Sequence, residues 1–230
     1  MTGPDVRVPL WTRARLERVM RLRFGEAPRG GVDTVAVAAA MGVSRRTVQR
    51  WLHARSGRAL THLPAGRRQQ LIELLRPSAQ RLQHEDDQQR YAAGVVAGLV
   101  AYPDEVQPGW LQKRWLEPHL VVILEVQVTA HSRIRQVTTL RNEPERLAAL
   151  RRRGRVVAVV PVPTNFHATL LIHRVLRLVG PWRYQAQPKQ VKRGWTATWT
   201  TDAPHVALGE VWNQVRADVP GEGDSTPSSQ

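Results

Sequence analysis

The chain has 230 residues, a formal net charge of +15 from 34 basic and 19 acidic residues, and no cysteine. The absence of cysteine excludes a disulfide scaffold, a thiol nucleophile and every metal site that needs thiolate ligands. The charge favours a polyanionic partner, nucleic acid before an acidic membrane surface, and the 42% of hydrophobic residues is too high for a disordered basic tail.

The positive charge lies in two blocks along the chain. Residues 1–60 carry a net charge of +8 and residues 119–203 carry +10, whereas the segment between them is neutral and residues 204–230 carry −3. Arginines scattered evenly over a surface would not leave a long neutral segment. The division therefore predicts two separate surfaces that contact nucleic acid.

The first basic block has the periodicity of three helices. Leu16, Met20 and Phe24 recur at helical spacing and predict a helix over residues 12–24. Glycine and proline residues then interrupt the pattern, and two short helices are predicted in residues 34–52. The neutral segment predicts two more helices, at residues 64–76 and 79–101, followed by a loop containing Pro103, Pro108 and Gly109.

The second basic block mixes strands and helices. Runs of β-branched residues predict buried strands at residues 120–128 and 155–163, and a less regular alternation predicts a strand at 133–141. The predicted helices are residues 143–153, 165–179 and 205–215, and the predicted strands of a final hairpin are residues 182–187 and 195–201.

Residues 34–52, TVAVAAAMGVSRRTVQRWL, carry the most specific motif in the chain. Ala38 lets two helices approach closely, and Gly42, four residues later, accepts the backbone geometry of a sharp turn. Ser44 is a good N-cap for the second helix. The apolar residues that would hold the two helices together are Val37, Met41, Val48 and either Trp51 or Leu52.

This motif resembles the helix-turn-helix of bacterial DNA-binding proteins, including regulators and plasmid or phage proteins. The resemblance implies that the second helix enters the major groove of DNA. Arg46 and either Gln49 or Arg50 are the candidates for reading base edges, whereas Arg45 and Thr47 could equally contact phosphates. The DNA-binding residues predicted in this block are Ser44, Arg45, Arg46, Thr47, Gln49, Arg50, Arg55 and Arg58, and Arg13 and Arg15 are either phosphate contacts or solvated.

The second basic block offers a further set of candidate DNA contacts. Its basic residues form one arginine run and a cluster between the predicted hairpin strands: Arg151, Arg152, Arg153, Lys189, Lys192 and Arg193. Aromatic residues flank the second cluster: Trp182, Tyr184, Trp195 and Trp199. They predict either a base-stacking platform for single strands or, as aromatic residues in strands usually do, the core side of the hairpin.

Residues 133–154, together with the motif, also resemble the terminal proteins that cap linear actinobacterial replicons. Those proteins join a helix-turn-helix to a mixed second domain and attach DNA covalently to a hydroxyl group. The resemblance implies a replication or telomere role, with a tyrosine, serine or threonine hydroxyl as the primer. The sequence singles out no residue for that role.

Catalytic and metal-binding patterns give no specific match. The sequence contains neither a phosphate-binding loop ending in Gly-Lys-Ser/Thr nor a His-x-His pair. On a helix, the adjacent Glu85, Asp86 and Asp87 would point in different directions rather than converge on an ion. The other titratable residues considered have no evident partner in the sequence: Glu125, His167, His173 and Asp202. We therefore expect no enzymatic activity, no metal and no cofactor.

These patterns together predict an α+β fold in four parts. The parts are a helix-turn-helix domain in residues 1–60, a helical spacer or part of the second domain in 61–118, a mixed α/β basic domain in 119–216 and a disordered tail in 217–230. The expected function is sequence-specific binding of double-stranded DNA in transcription regulation of a phage, plasmid or integrative element. The alternative is the replication or telomere role implied by the terminal proteins.

The second domain is expected to form a homodimer, to add a basic contact surface or to act as a ligand sensor. The N-terminus lacks the pattern of a signal peptide, and the longest apolar runs are far too short to span a bilayer. We therefore expect no membrane partner and a cytoplasmic location at the nucleoid.

Overall fold

The computed structural model describes residues 11–53, 63–186, 191 and 197–219. This part of the chain has the predicted α+β fold, with nine α-helices and one four-stranded sheet. It divides into two compact units that do not follow chain order. Unit 1 comprises Met1–Pro77, Gln127–Ile134 and Pro181–Ala203, and unit 2 comprises Ser78–Val126, Arg135–Gly180 and Pro204–Gln230.

The core of unit 1 is a small bundle of helices in which α1 contacts each of the other three. The four helices are α1 (Arg13–Phe24), α2 (Thr34–Met41), α3 (Arg45–Leu52) and α4 (Ala65–Leu75). The Thr12 hydroxyl begins α1 by accepting a hydrogen bond from the Arg15 amide at 3.2 Å. Leu16 and Met20 on α1 are fully buried, as their helical spacing predicts.

Residues from the second basic block complete this core. The Tyr184 hydroxyl donates to the Leu22 carbonyl oxygen at 2.8 Å, and the Thr129 hydroxyl donates to Oε1 of Glu26 at 2.6 Å. The Gln185 amide donates to the carbonyl oxygen of Leu75, at the end of α4, at 2.8 Å. Unit 1 therefore combines the predicted domain of residues 1–60 with residues 61–77 and with segments 127–134 and 181–203.

The predicted hairpin is much shorter than its sequence pattern suggests. A 3₁₀ turn (Gly180–Trp182) is followed by a single bridge between Arg183 and Trp199 and by the three-residue strand β4 (Thr198–Thr200). Trp182, Tyr184 and Trp199 are buried. These three aromatic residues pack in the core, and a base-stacking role for them is wrong. Trp195 lies outside the described residues.

Unit 2 is built around helix α8, which packs against α5 and α9. Its helices are α5 (Ala79–Ala101), α6 (Pro108–Gln112), α7 (Pro144–Arg151), α8 (Asn165–Leu178) and α9 (Leu208–Asp218). Helix α6 forms where the sequence predicts a loop, because proline is well placed in the first turn of a helix. Helix α9 ends at Asp218, so the first residues of the predicted tail are helical.

The sheet has the order β3-β1-β2-β4. Strands β1 (His119–Thr129) and β2 (Ser132–Arg141) follow each other along the chain and are neighbours in the sheet. Strand β3 (Arg155–Val162) pairs antiparallel with β1, and His119 lies opposite Val162. Every residue from His119 to Val126 in β1 is buried, as predicted. The prediction of a second buried strand is wrong for β3, which lies at the edge of the described sheet, with Val159 37% exposed.

The acidic residues of α5 point away from one another, as their position on a helix predicts. Glu85 pairs with Arg81, Asp87 pairs with Arg90, and Oδ1 of Asp86 lies 3.0 Å from Nε2 of His173. His173 thus has an acidic neighbour that the sequence did not reveal. Among the described residues, no group of three or more His, Asp or Glu side chains could hold a metal ion.

Two further residues that lacked an evident partner form ion pairs. Glu125 in β1 lies 3.0 Å from Nη2 of Arg155, and Asp202 pairs with Arg15. Arg15 is only 5% exposed, so its prediction as a phosphate contact or a solvated residue is wrong. In the described part of the chain, no helix has the length and apolar character needed to cross a membrane.

Candidate nucleic-acid interface

Helix α2 begins at a side-chain cap. One carboxylate oxygen of Asp33 accepts hydrogen bonds from the amides of Val35 at 3.1 Å and Ala36 at 3.0 Å. These amides would otherwise lack partners at the start of the helix, and the carboxylate also interacts favourably with the helix dipole. The cap therefore stabilises the start of α2. Val37 and Ala38 of the same helix are buried, which holds α2 against its neighbours.

The turn between α2 and α3 depends on Gly42. This residue has φ 61° and ψ 41°, the left-handed conformation that glycine adopts without steric cost. The Val43 amide donates to the Ala38 carbonyl oxygen at 3.1 Å, and the Gly42 amide donates to that of Ala39 at 3.4 Å. This pair of hydrogen bonds is a Schellman motif, which ends α2 and redirects the chain into α3.

A residue from α4 strengthens the same turn. Nη1 of Arg67 donates to the Met41 carbonyl oxygen at 2.7 Å and to Oε1 of Gln70 at 2.8 Å. Met41 is the last residue of α2, so this guanidinium satisfies a carbonyl group that has no partner within its own helix. Arg67 lies outside the motif, and its role could not be recognised from the local sequence.

Helix α3 is held by a cap and by a buried face. The Ser44 hydroxyl oxygen accepts from the Thr47 amide at 3.1 Å, as the N-cap prediction requires. Val48 is fully buried and Trp51 is 5% exposed, whereas Leu52 is only half-buried. Of the two alternatives left by the sequence, Trp51 is therefore the second core residue of α3.

The opposite face of α3 is basic and open to solvent. Arg45, Arg46, Gln49 and Arg50 are exposed, together with Ser44, and Thr47 is half-buried. Within the described residues, none of the three arginines forms an ion pair with a carboxylate. Nε of Arg45 instead donates to the Thr34 hydroxyl at 3.1 Å, and Nη2 of Arg50 donates to the Thr47 hydroxyl at 3.3 Å.

No contact in the described part of the chain brings the other predicted DNA-binding residues to this face. Arg13 pairs with Glu17 on α1 at 2.7 Å. Arg151, Arg152 and Arg153 are exposed at the C-terminal end of α7, in unit 2. Five further candidates lie outside the described residues: Arg55, Arg58, Lys189, Lys192 and Arg193. DNA contact by any of these residues stays a prediction.

Besides Arg67, two residues of the site were missed at the level of sequence, Asp33 and Thr34. Asp33 stands directly before an apolar helix, which is a usual N-cap signal, and it could have been recognised. Thr34 carries no such signal, because its bond to Arg45 depends on how α2 and α3 meet. Together with Arg67, these residues set the turn and the direction of the basic side chains.

Three helices, the last two joined by a capped glycine turn with an exposed basic helix, define a helix-turn-helix DNA-binding domain. Residues 15–61 match the family described as a homeodomain-like domain. No match to the chain is found among curated proteins or among solved structures. The family match covers α2, α3 and all but the first two residues of α1, and it supports DNA binding by this part of the protein.

Proposed function

We propose that the protein binds double-stranded DNA sequence-specifically, with α3 in the major groove. The observation that supports this proposal is the exposed face of α3, where three arginines lie beside Gln49. These arginines have no carboxylate partner in the described structure. A groove lined by phosphates would neutralise these charges. The buried face and the Ser44 cap hold the helix rigid, which is what base recognition requires.

The hydrogen bonds of this face suggest a division of roles. Arg45 and Arg50 are each tied to a threonine hydroxyl, which holds their guanidinium groups close to the protein surface. We assign these two residues to phosphates, where position matters more than reach. Arg46 and Gln49 form no side-chain hydrogen bond in the described part of the chain and can extend to base edges. Arginine suits guanine and glutamine suits adenine.

The biological role that we propose is transcription regulation in a phage, plasmid or integrative element. Its support is the resemblance of residues 34–52 to the motif of such regulators; the family match over residues 15–61 supports only the DNA binding that this role requires. The proposal assigns no catalytic residue, no metal and no cofactor, and it places the protein at the nucleoid. Mapping the bound sites in a host genome tests it: sites at promoters support regulation.

Selection from a random duplex library at about 150 mM salt tests sequence-specific binding directly. We expect the full chain to enrich one motif, and each of Arg46→Ala and Gln49→Ala to relax the preference at one position by about 1–3 kcal/mol. Arg151→Ala is the matched control, since it also removes one exposed positive charge. It should leave the motif unchanged, whatever it does to overall affinity.

Two results would contradict sequence-specific binding through α3, and a third would contradict the regulatory role. Enrichment of the same motif by an Arg46→Ala/Gln49→Ala double variant would show that α3 does not read the bases. Failure of the full chain to enrich any motif would remove sequence-specific binding altogether. Bound sites confined to replicon ends or origins, with transfer of a labelled nucleotide onto the protein, would instead support a replication role.

A further inference from the structure

Three consecutive arginines are exposed where helix α7 ends and the chain turns toward β3. Arg151 is the last residue of α7, and Arg152 and Arg153 form the turn that follows. Among the described residues, none of these three side chains forms an ion pair or a hydrogen bond. The three positive charges therefore face solvent without compensation from this part of the protein.

The turn that carries these arginines is held close to the sheet. The Arg153 amide donates to the Leu150 carbonyl oxygen at 2.9 Å, and the Leu150 side chain is buried. Gly154 comes next, and a Cβ atom at this position would lie only 2.4 Å from the carbonyl oxygen of Glu125 in β1. This close backbone approach, which only glycine permits, fixes the turn, so the exposed arginines extend from a defined place in unit 2.

The carboxylate beside this turn is already shared by two other arginines. Oε2 of Glu125 lies 3.0 Å from Nη2 of Arg155 and 3.9 Å from Nε of Arg135. The Arg155 side chain is still 66% exposed, so it adds a fourth guanidinium to the basic surface. Glu143 and Glu145 lie at the N-terminal end of α7. The acidic and basic residues of this helix are therefore at opposite ends.

The dipole of α7 does not account for three arginines at its C-terminal end. A helix dipole places about half of a negative charge there, which a single arginine more than balances. Like charges on neighbouring residues repel one another and oppose the compact state, and no ion pair within the described residues offsets this repulsion for Arg151, Arg152 or Arg153. Contact with an external polyanion would replace the repulsion by attraction.

We propose that Arg151, Arg152, Arg153 and Arg155 form a phosphate-contact surface of unit 2, the arginine patch, which binds the backbone of double-stranded DNA without reading its sequence. Guanidinium groups suit this role, because they stay charged and donate paired hydrogen bonds to phosphate oxygens. The proposal rests on the proposed function for the identity of the partner, and it adds a second contact outside the helix-turn-helix domain. Helix α3 then supplies the sequence preference, whereas the arginine patch supplies affinity that depends on salt.

Fluorescence anisotropy of the full chain with a labelled duplex of about 30 base pairs, at salt concentrations between about 50 and 300 mM, tests the patch. Each phosphate contact that is lost should lower the slope of log Kd against log salt concentration by about 0.9. We therefore expect Arg151→Gln/Arg152→Gln/Arg153→Gln to lower the slope by about 2–3. At about 150 mM salt, this variant should bind at least tenfold more weakly, and equally so for a duplex with the selected motif and for a scrambled duplex. The thermal midpoint should not change, because the three side chains are exposed.

Arg90→Gln/Arg174→Gln/Arg177→Gln is the matched control, because it removes the same charge from α5 and α8 of the same unit. It should change the slope by less than about 0.5. Replacement of Arg151, Arg152 and Arg153 by lysine keeps the charge and should keep most of the wild-type slope. The lysine variant thus separates the loss of charge from a change of fold.

Several results overturn the arginine patch. They are a glutamine variant with the wild-type slope, a control variant that lowers the slope equally, and a loss of affinity confined to the motif duplex. A wild-type slope in the glutamine variant, with the motif lost in Arg46→Ala/Gln49→Ala, overturns the patch and leaves recognition by α3 intact. A lowered slope in a chain that selects no motif overturns only sequence-specific recognition. A wild-type chain that binds neither duplex overturns both proposals.

Discussion

Nη1 of Arg15 lies 2.6 Å from Oδ2 of Asp202, although 187 residues separate the two along the chain. Nη1 of Arg18 lies 3.0 Å from the other carboxylate oxygen, and Nη2 of Arg15 donates to the Pro181 carbonyl oxygen at 3.3 Å. The Arg15 side chain is 6% exposed. One carboxylate therefore neutralises a buried guanidinium and ties segment 181–203 to the first helix.

Replacing this carboxylate should destabilise unit 1. We expect Asp202→Asn to lower the free energy of unfolding by about 2–4 kcal/mol, because it leaves the buried charge of Arg15 without its counter-ion. Urea unfolding monitored by circular dichroism measures the change. Glu17→Gln is the control, since it breaks the more exposed pair with Arg13 and should cost only a few tenths of a kcal/mol. Equal losses in the two variants would contradict the burial argument.

The same pair predicts how stability depends on pH. Burial raises the pKa of Asp202, but Arg15, the Thr200 side chain and Arg18 together outweigh it, so the pKa of Asp202 lies below its ordinary value. As the pH falls below about 4, the unfolded chain binds this proton before the folded chain does. The stabilisation is therefore complete above that pH and is lost progressively below it.

Unfolding free energies of the wild type and of Asp202→Asn, measured between pH 7 and pH 2, check this expectation. The difference between the two proteins should be constant above pH 5 and should shrink below about pH 4. A difference that is independent of pH down to pH 2 would show that the ionised carboxylate is not the source of the stabilisation.

The left-handed turn predicts a cost for any side chain at position 42. Gly42→Ala should destabilise unit 1 by about 1–2 kcal/mol, because an L-residue is strained at a φ of 61°. It should also weaken DNA binding, since the turn sets the direction of α3. In thermal unfolding, Gly66→Ala provides the comparison: Gly66 is the second residue of α4, has no positive φ and faces open space, so the alanine should be neutral or stabilising.

The Arg67 contact with the end of α2 predicts an effect of similar size. Arg67→Met keeps most of the aliphatic stem and removes both hydrogen bonds, and we expect a loss of about 1–2 kcal/mol in urea unfolding. Gln69→Met on the same helix is the comparison, because Gln69 is exposed and its side chain bonds only to Glu73 among the described residues. If both changes had the same effect, Arg67 would not support the turn.

The helical domain should not fold alone, because segments 127–134 and 181–203 belong to the same compact unit. A fragment of residues 1–118 should lose cooperative thermal unfolding, because it lacks groups that contact α1, such as Tyr184 and Asp202. A fragment of residues 1–203 keeps every segment of unit 1 and should unfold cooperatively. A 1–118 fragment that melts like the 1–203 fragment would contradict the discontinuous unit.

The parts of the fold that were predicted correctly depend on neighbours in sequence. Ser44, Gly42 and Val48 act within one turn of their own helix, so local spacing identified the turn, the cap and the buried side of α3. The long helix α5 and the buried strand β1 also follow from local periodicity. The helix-turn-helix class could therefore be assigned from the sequence.

The failures come from contacts between distant residues. Arg15 has the local pattern of a solvent-exposed arginine, and only its pairing with Asp202 buries it. The apolar run of β3 has the composition of a central strand, but strand order places it at the edge, where Pro161 also fits because it cannot donate a hydrogen bond. Strand order and ion pairs over such separations leave no periodic signal in the sequence.

The late position of segment 181–203 has a consequence during protein synthesis. The helices around the glycine turn leave the ribosome early, but the side chains that cover α1 follow only after more than a hundred further residues. Helix α3 therefore stays in an incompletely folded unit until most of the chain has been translated. We therefore expect incomplete translation products to lack a fully folded helix-turn-helix unit.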